Sequence, residues 1–152
     1  MRLAPGTTLN GIFEIEHHIA SGGMGDIYKG HEIETGIPVA IKVMRTDIVD
    51  GEMALALFRK EALALHNIRH EAVTRYSIFS YDREMGRHYL AMEFVNGRPL
   101  SLILAEGALS FEAVRVLQQR IAAGLHAAHQ SSVIHRDLSR QYYHPRGKCC
   151  PR

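Results

Sequence analysis

The feature that most constrains the fold of this 152-residue chain is a change of hydrophobic period at Asn96-Gly97-Arg98-Pro99. Before that break, the β-branched runs GIFEIEHHIA, DIYKGHEI and IPVAIKVM, separated by the turns SGGMG and ETG, predict three antiparallel strands in a meander. DGEMALALFRKEALALH over 50–66 switches to helical spacing with an acidic first turn, and SIFSYD and RHYLAMEFV add two more strands. After the break only helical patterns follow: PLSLILAEG, then a long segment from Ser110 to about Gln130. Five strands with one inserted helix, then helices, predict an α+β chain. Its small lobe, a five-stranded antiparallel sheet plus one helix, joins the first helices of a large helical lobe near residues 93–99.

Apolar residues at 46% and charged residues at 22% suit a soluble globular domain with a real core. The net charge of +2 divides unevenly, because Arg140, Arg146, Lys148 and Arg152, with no acid among them, carry +4 and leave −2 on residues 1–139. That slightly acidic body offers no electrostatic footprint for nucleic acid. Cys149 and Cys150, with His144 nearby, lack the four-ligand spacing of a zinc site, and His126 and His129 suggest none either, so no metal ligand is expected. A cysteine-free body and the lack of a signal-like or membrane-spanning run imply a cytoplasmic chain with no membrane segment.

Ser110 is the expected N-cap of the long helix, with Glu112 in its first turn. Phe111, Val114, Leu117, Ile121, Leu125 and Ala128 share one face, while Ala113, Val116, Ala123 and Ala127 leave the rest only weakly polar. A helix apolar over so much of its circumference expects neighbours on several sides. Without them it would expose apolar surface, and aggregated or chaperone-bound protein is the expected result.

The chemistry lies in motifs that are weak singly. IASGGMGDIY, residues 19–28, puts glycines at a strand-to-strand turn, where the missing Cβ lets backbone N–H groups approach phosphates, although a plain hairpin turn has the same composition. Lys42 ends VAIK inside an apolar strand and reads equally as a lysine snorkelling to water. Glu61 sits mid-helix, as a solvated glutamate would. Glycine turn, strand lysine, helix glutamate, MEF and HRD follow one another in the order and at the intervals of the kinase signature set.

On those motifs residues 9–139 resemble the catalytic domain of Hanks-type serine/threonine protein kinases, and GGMG looks most like the bacterial members. The resemblance implies ATP as cofactor, Mg2+ in the intact family, and a protein substrate. It implies a nucleotide-binding loop at Ala20, Gly22, Gly23 and Gly25, in which Gly22 and Gly25 match the second and third glycines and Ala20 departs from the first. Lys42 would contact the α- and β-phosphates and pair with Glu61. Ile27 and Ala40 would lie above the adenine, Met92 would be the gatekeeper, and the backbone of Glu93 and Val95 would bond the adenine edge; simple core packing explains Ile27, Ala40 and Met92 as well. Asp137 would accept or orient the substrate hydroxyl proton. Arg136 matches the arginine that pairs with an activation-loop phosphate, and His135 and Leu65 match apolar-spine positions.

The resemblance stops at Ser139. The family continues L-K-P-x-N, whose asparagine holds magnesium, then D-F-G and A-P-E; here Ser139-Arg140-Gln141-Tyr142-Tyr143 follows Leu138, and neither later motif occurs. With its magnesium ligands absent, the chain as written is expected to be a truncated and inactive kinase fragment. The division implied is 9–95 small lobe, 96–139 start of the large lobe and 140–152 a non-family tail. The alternative is a non-catalytic module that binds nucleotide or a partner, which has no need of the HRD aspartate. A small-molecule phosphotransferase is disfavoured because Arg136 completes HRD.

The genetic code accounts for the tail. Arg140 to Pro145 can be written CGA CAA TAT TAT CAT CCC, and the frame starting one base later reads GAC AAT ATT ATC ATC, or D-N-I-I-I. A TCC codon for Ser139 supplies a proline in front, restoring P-x-N followed by an apolar strand. The tail is therefore expected to be an out-of-frame reading caused by a two-base loss, or an equivalent shift, near codon 139. Sequencing the locus checks this: the alternative frame should run past codon 152 and encode D-F-G and then A-P-E. An early stop in that frame with no D-F-G would defeat the explanation.

Overall fold

The structure is a computed structural model that describes residues 2–47 and 51–134. In chain order the elements are β1 (Thr8–Leu9), β2 (Phe13–Ser21), β3 (Gly25–Glu32), β4 (Pro38–Met44), α1 (Gly51–Asn67), β5 (Tyr76–Asp82), β6 (Arg87–Glu93), α2 (Leu100–Glu106) and α3 (Phe111–Gln130). The strands form one antiparallel sheet in the order β1-β2-β3-β4-β6-β5. The five expected strands and the inserted helix are all present. The sixth, β1, pairs only through Thr8 with Glu14 and Leu9 with Phe13, too short to carry a period of its own.

Strand β4 lies inside the sheet and is buried on both faces from Val39 onward, so its sequence reads as an unbroken apolar run except at Lys42. On one face Val39, Ile41 and Val43 pack with Phe13, Ile15, Tyr28, Tyr89 and Ala91. Both tyrosines are fully buried, and each hydroxyl accepts a hydrogen bond, from the Leu3 N–H at 3.0 Å and from Asn10 Nδ2 at 3.1 Å. This removes the cost of burying their polar tips.

Where β2 crosses this core, β3 approaches it so closely that a Cβ built on Gly30 would lie 2.3 Å from the Glu14 carbonyl oxygen and 3.0 Å from Ile41 Cδ1. Near the start of β3 a Cβ on Gly25 would lie 2.6 Å from the Val43 carbonyl oxygen. Both glycines are thus set by the sheet itself.

The chain divides into two compact units, residues 1–63 with 76–94, and residues 64–75 with those from Val95 onward. Residues 64–75, which chain order groups with the sheet, thus belong with the helical segment. In the second unit Ser110 caps α3 by accepting a hydrogen bond from the Ala113 N–H at 3.2 Å. Gly124 of α3 meets Ala72, where an added Cβ would be 3.4 Å from the Ala72 Cβ and carbonyl oxygen, and Arg120 pairs with Glu71. The buried residues of α3 are Gly124 and Ala128, with Leu117 and Ile121 half-buried, whereas Phe111 is 85% exposed and Val114 is exposed. Along the expected face Leu117, Ile121, Leu125 and Ala128 are buried or half-buried, and Phe111 and Val114 are exposed. Periodicity finds the most apolar arc, but closest approach to the Ala72 segment requires the smallest residue. Among the described residues no helix is long and apolar enough to cross a membrane.

Gly30→Ala is expected to lower the unfolding free energy by about 1–3 kcal/mol through overpacking against backbone that cannot yield. Gly23→Ala, whose Cβ would meet nothing within 4 Å, should change it by less than about 0.5 kcal/mol. Urea denaturation of the two variants checks the contrast, and equal effects would count against it.

Candidate functional site

Register decides which side chains meet on the second face of the sheet. Ile27 and Leu90 lie opposite Lys42 on its two neighbouring strands, and Met92 lies opposite Ala40. Because side chains alternate along a strand, Ile27, Ala40, Lys42, Leu90 and Met92 project from one face. All are buried except Ile27, which is half-buried. A lysine there is costly unless its charge is matched.

The match comes from α1. Lys42 Nζ donates to both carboxylate oxygens of Glu61, at 2.8 Å and 2.6 Å, and the two side chains are only 6% and 13% exposed. Burial pushes the Glu61 carboxyl above the usual glutamate range, while the charge and hydrogen bonds of Lys42 pull in the opposite direction. One turn before Glu61, the fully buried Phe58 sets its ring 5.6 Å from Lys42 Nζ. Residues at i and i+3 share a helix face, so one stretch of α1 supplies both partners of the ammonium.

Beside this face the turn between β2 and β3 is closed by the Gly22 N–H donating to the Gly25 carbonyl at 2.8 Å. Ser21 and Asp26 flank it as a register pair, and Ser21 Oγ donates to Asp26 Oδ1 at 2.6 Å, with His18 Nε2 3.1 Å from the same hydroxyl. The base of the turn is thus braced. Its tip is open: a Cβ on Gly23 would meet nothing within 4 Å, and one on Gly22 only the Gly25 oxygen at 3.5 Å. Ala20 pairs with Ile27 within β2, just after a register shift between His18 and Ala20, and has no positive φ that would require glycine.

Of the residues singled out from sequence, Ile27, Ala40, Lys42, Glu61 and Met92 are therefore brought together, with Gly22 and Gly23 in the adjacent turn and Ala20 and Gly25 in the strands that flank it. Glu93 ends β6 opposite Val39 and is half-buried, as is Val95 in the second unit. Leu65 is buried. His135, Arg136, Asp137 and the tail lie outside the described residues. Leu90 and Phe58 were not among the sequence candidates, although strand pairing with Lys42 and the i,i+3 relation to Glu61 could have found them. Among the described residues no group of three His, Cys, Asp or Glu side chains could hold a metal ion.

Residues 13–141 match the family described as "Protein kinase domain". The chain is 38% identical over 138 residues to the serine/threonine-protein kinase pkn2 of Myxococcus xanthus, covering 90% of this chain and 16% of that protein. It is 33% identical over 135 residues to the serine/threonine-protein kinase PrkC of Bacillus subtilis, covering 88% of this chain and 20% of that protein. The chain thus spans a fifth or less of these relatives' length. The crystal structure of the Mycobacterium tuberculosis PknI kinase domain is similar in fold, with a TM-score of 0.73 at 22% identity over 92% of this chain and 57% of that one.

Lys42→Met would leave the Glu61 carboxylate buried without its cation, so its pKa should rise further. A carboxyl whose folded-state pKa exceeds its unfolded value favours the folded state at low pH and loses that advantage as pH rises through the folded value. The destabilisation by Lys42→Met should therefore be small near the ordinary glutamate range and grow toward neutral pH, to about 3 kcal/mol. Urea melts of both proteins across that range test this. A pH-independent difference would show that Glu61 is not desolvated.

Proposed function

Because the chain belongs to the protein kinase family, we propose that strands β2 to β6 and α1, which fall within residues 9–95, form the small lobe that binds ATP. The intact catalytic domain to which that lobe belongs transfers the γ-phosphoryl group to a protein serine or threonine hydroxyl. The observation that carries this reading is the bidentate Lys42–Glu61 pair on a buried sheet face beside an open glycine turn. ATP supplies the transferable phosphoryl group, and the residues of this chain bind and orient it.

Lys42 is the cation for the α- and β-phosphates, and Glu61 keeps its ammonium from relaxing toward solvent. Gly22 and Gly23 have no packing reason to be glycine, in contrast to Gly25, which supports their use as the place where phosphates approach backbone. Ile27, Ala40 and Met92 supply the apolar wall that excludes water from the adenine, with the backbone of Glu93 and Val95 as its polar edge. In residues 96–139, the start of the large lobe, Asp137 accepts or orients the proton of the attacking hydroxyl.

Magnesium does not fit the residues present. The position of the family's metal-binding asparagine falls on Tyr142, and Arg140 to Tyr142 contain no carboxylate or asparagine. This same stretch favours the second reading, that the chain as written holds nucleotide without transferring phosphate. A cysteine-free body and use of ATP both suit a cytoplasmic location.

The 152-residue protein is therefore expected to show no phosphotransfer from ATP to generic serine/threonine substrates above that of Asp137→Ala. Its ATP affinity by calorimetry should be weak, little affected by magnesium, and reduced further by Lys42→Met. Turnover at a typical kinase rate that Asp137→Ala abolishes would overturn the first expectation, and tight magnesium-dependent binding the second.

A further inference from the structure

The ammonium of Lys42 has two partners from α1, and only one of them is a carboxylate. Phe58 is fully buried, and its ring centroid lies 5.6 Å from Lys42 Nζ, within the roughly 6 Å over which a ring quadrupole attracts a cation. The ring is itself fixed. Its centroid lies 5.8 Å from that of Phe79 on β5, which stacks on His88 of β6 with 3° between planes. Phe79 faces Leu90 in register, and Leu90 faces Lys42, so the aromatic row and the lysine share one sheet face. Phe58 cannot turn away without breaking that row.

From this geometry we infer that Phe58 is a positioning residue for Lys42: its ring face and the Glu61 carboxylate together hold the ammonium at the sheet surface. The carboxylate alone fixes the distance to α1 but leaves the ammonium free to swing about the carboxylate plane. A buried ring removes that freedom on one side without competing for the hydrogens that phosphate oxygens would use. The effect is largest in a desolvated site, where cation–ring attraction corresponds to about a 2- to 30-fold change in an equilibrium constant. Only the consequence for ATP rests on the proposed function; the placement of Lys42 by Phe58 does not.

The test uses the full chain with 13C-labelled lysine. The Lys42 ε-methylene signal, identified by its loss in Lys42→Met, should lie upfield of the other lysines through the ring current of Phe58. It should move toward them in Phe58→Leu, which keeps the site apolar. Phenylalanine carrying one, two or three ring fluorines at position 58 keeps the volume nearly constant while weakening the attraction. ATP affinity, read by titration of the same signal, should fall stepwise along that series by about 2- to 30-fold in all. A role in packing alone would not follow ring electrostatics at constant volume. An unshifted Lys42 signal in the parent chain, or equal ATP affinity across the fluorinated series, overturns the inference. A shifted signal in a parent chain that binds no ATP upholds the placement of Lys42 and overturns the ATP reading instead.

Discussion

A charged nitrogen in the middle of an apolar strand is the constraint around which this small lobe is arranged. Lys42 lies at the one polar position of β4, buried to 4% exposure, and desolvating an ammonium costs several kcal/mol unless partners take over from water. Glu61 does so with both oxygens, yet its own burial is the larger influence on its carboxyl, so the pair adds little net stability. What it adds is orientation. The helix that carries Glu61 must present that turn to Lys42, and the same turn places Phe58 against Phe79. An apolar side chain at position 42 would let α1 slide along the sheet with less penalty; the ion pair does not.

The glycine turn shows a second division of labour. Gly25 belongs to the sheet, since the Val43 carbonyl would lie 2.6 Å from any Cβ there, and the Ser21–Asp26 hydrogen bond braces the strand ends. Gly22 closes the turn through its N–H, but neither it nor Gly23 is held to glycine by packing. A turn fixed at its base and open at its tip can offer backbone N–H groups to a ligand without disturbing β3, which carries Ile27 to the site. Ala20 is compatible with this arrangement because the first position lies within β2, ahead of the turn, with no positive φ.

How much of this was legible in the sequence depended on the range of each signal. Strands β2 to β6, helix α1 and the Ser110 cap are local events: alternation, helical spacing and one side chain reaching a backbone N–H three residues away. They were readable. β1 was not, since two residues have no period. Nor was the need for glycine at position 30, because Glu14 lies sixteen residues earlier and only strand register brings its carbonyl near. The same limit explains α3, where Gly124 faces Ala72 across a long sequence separation and turns Phe111 outward. At the site, Lys42 and Glu61 were named from their order along the chain, but order carries no distance. Phe58 was passed over because an aromatic residue in an amphipathic helix reads first as core, which it also is.

Binding a nucleotide and transferring its phosphate make different physical demands. Holding a polyphosphate needs a fixed cation, an open stretch of backbone and an apolar wall; each is a property of the described sheet and α1, assembled by register and one ion pair. Transfer needs in addition that negative charge developing on the phosphoryl oxygens be neutralised at the moment of reaction, which side chains alone do poorly and metal ions do well. Those ions require carboxylate or amide oxygens, and counting L-K-P-x-N from Leu138 puts Tyr142, whose phenol is neither, at the position of the family's asparagine. The small lobe can thus be intact in every respect that its sequence specifies while phosphoryl transfer depends in addition on residues outside it.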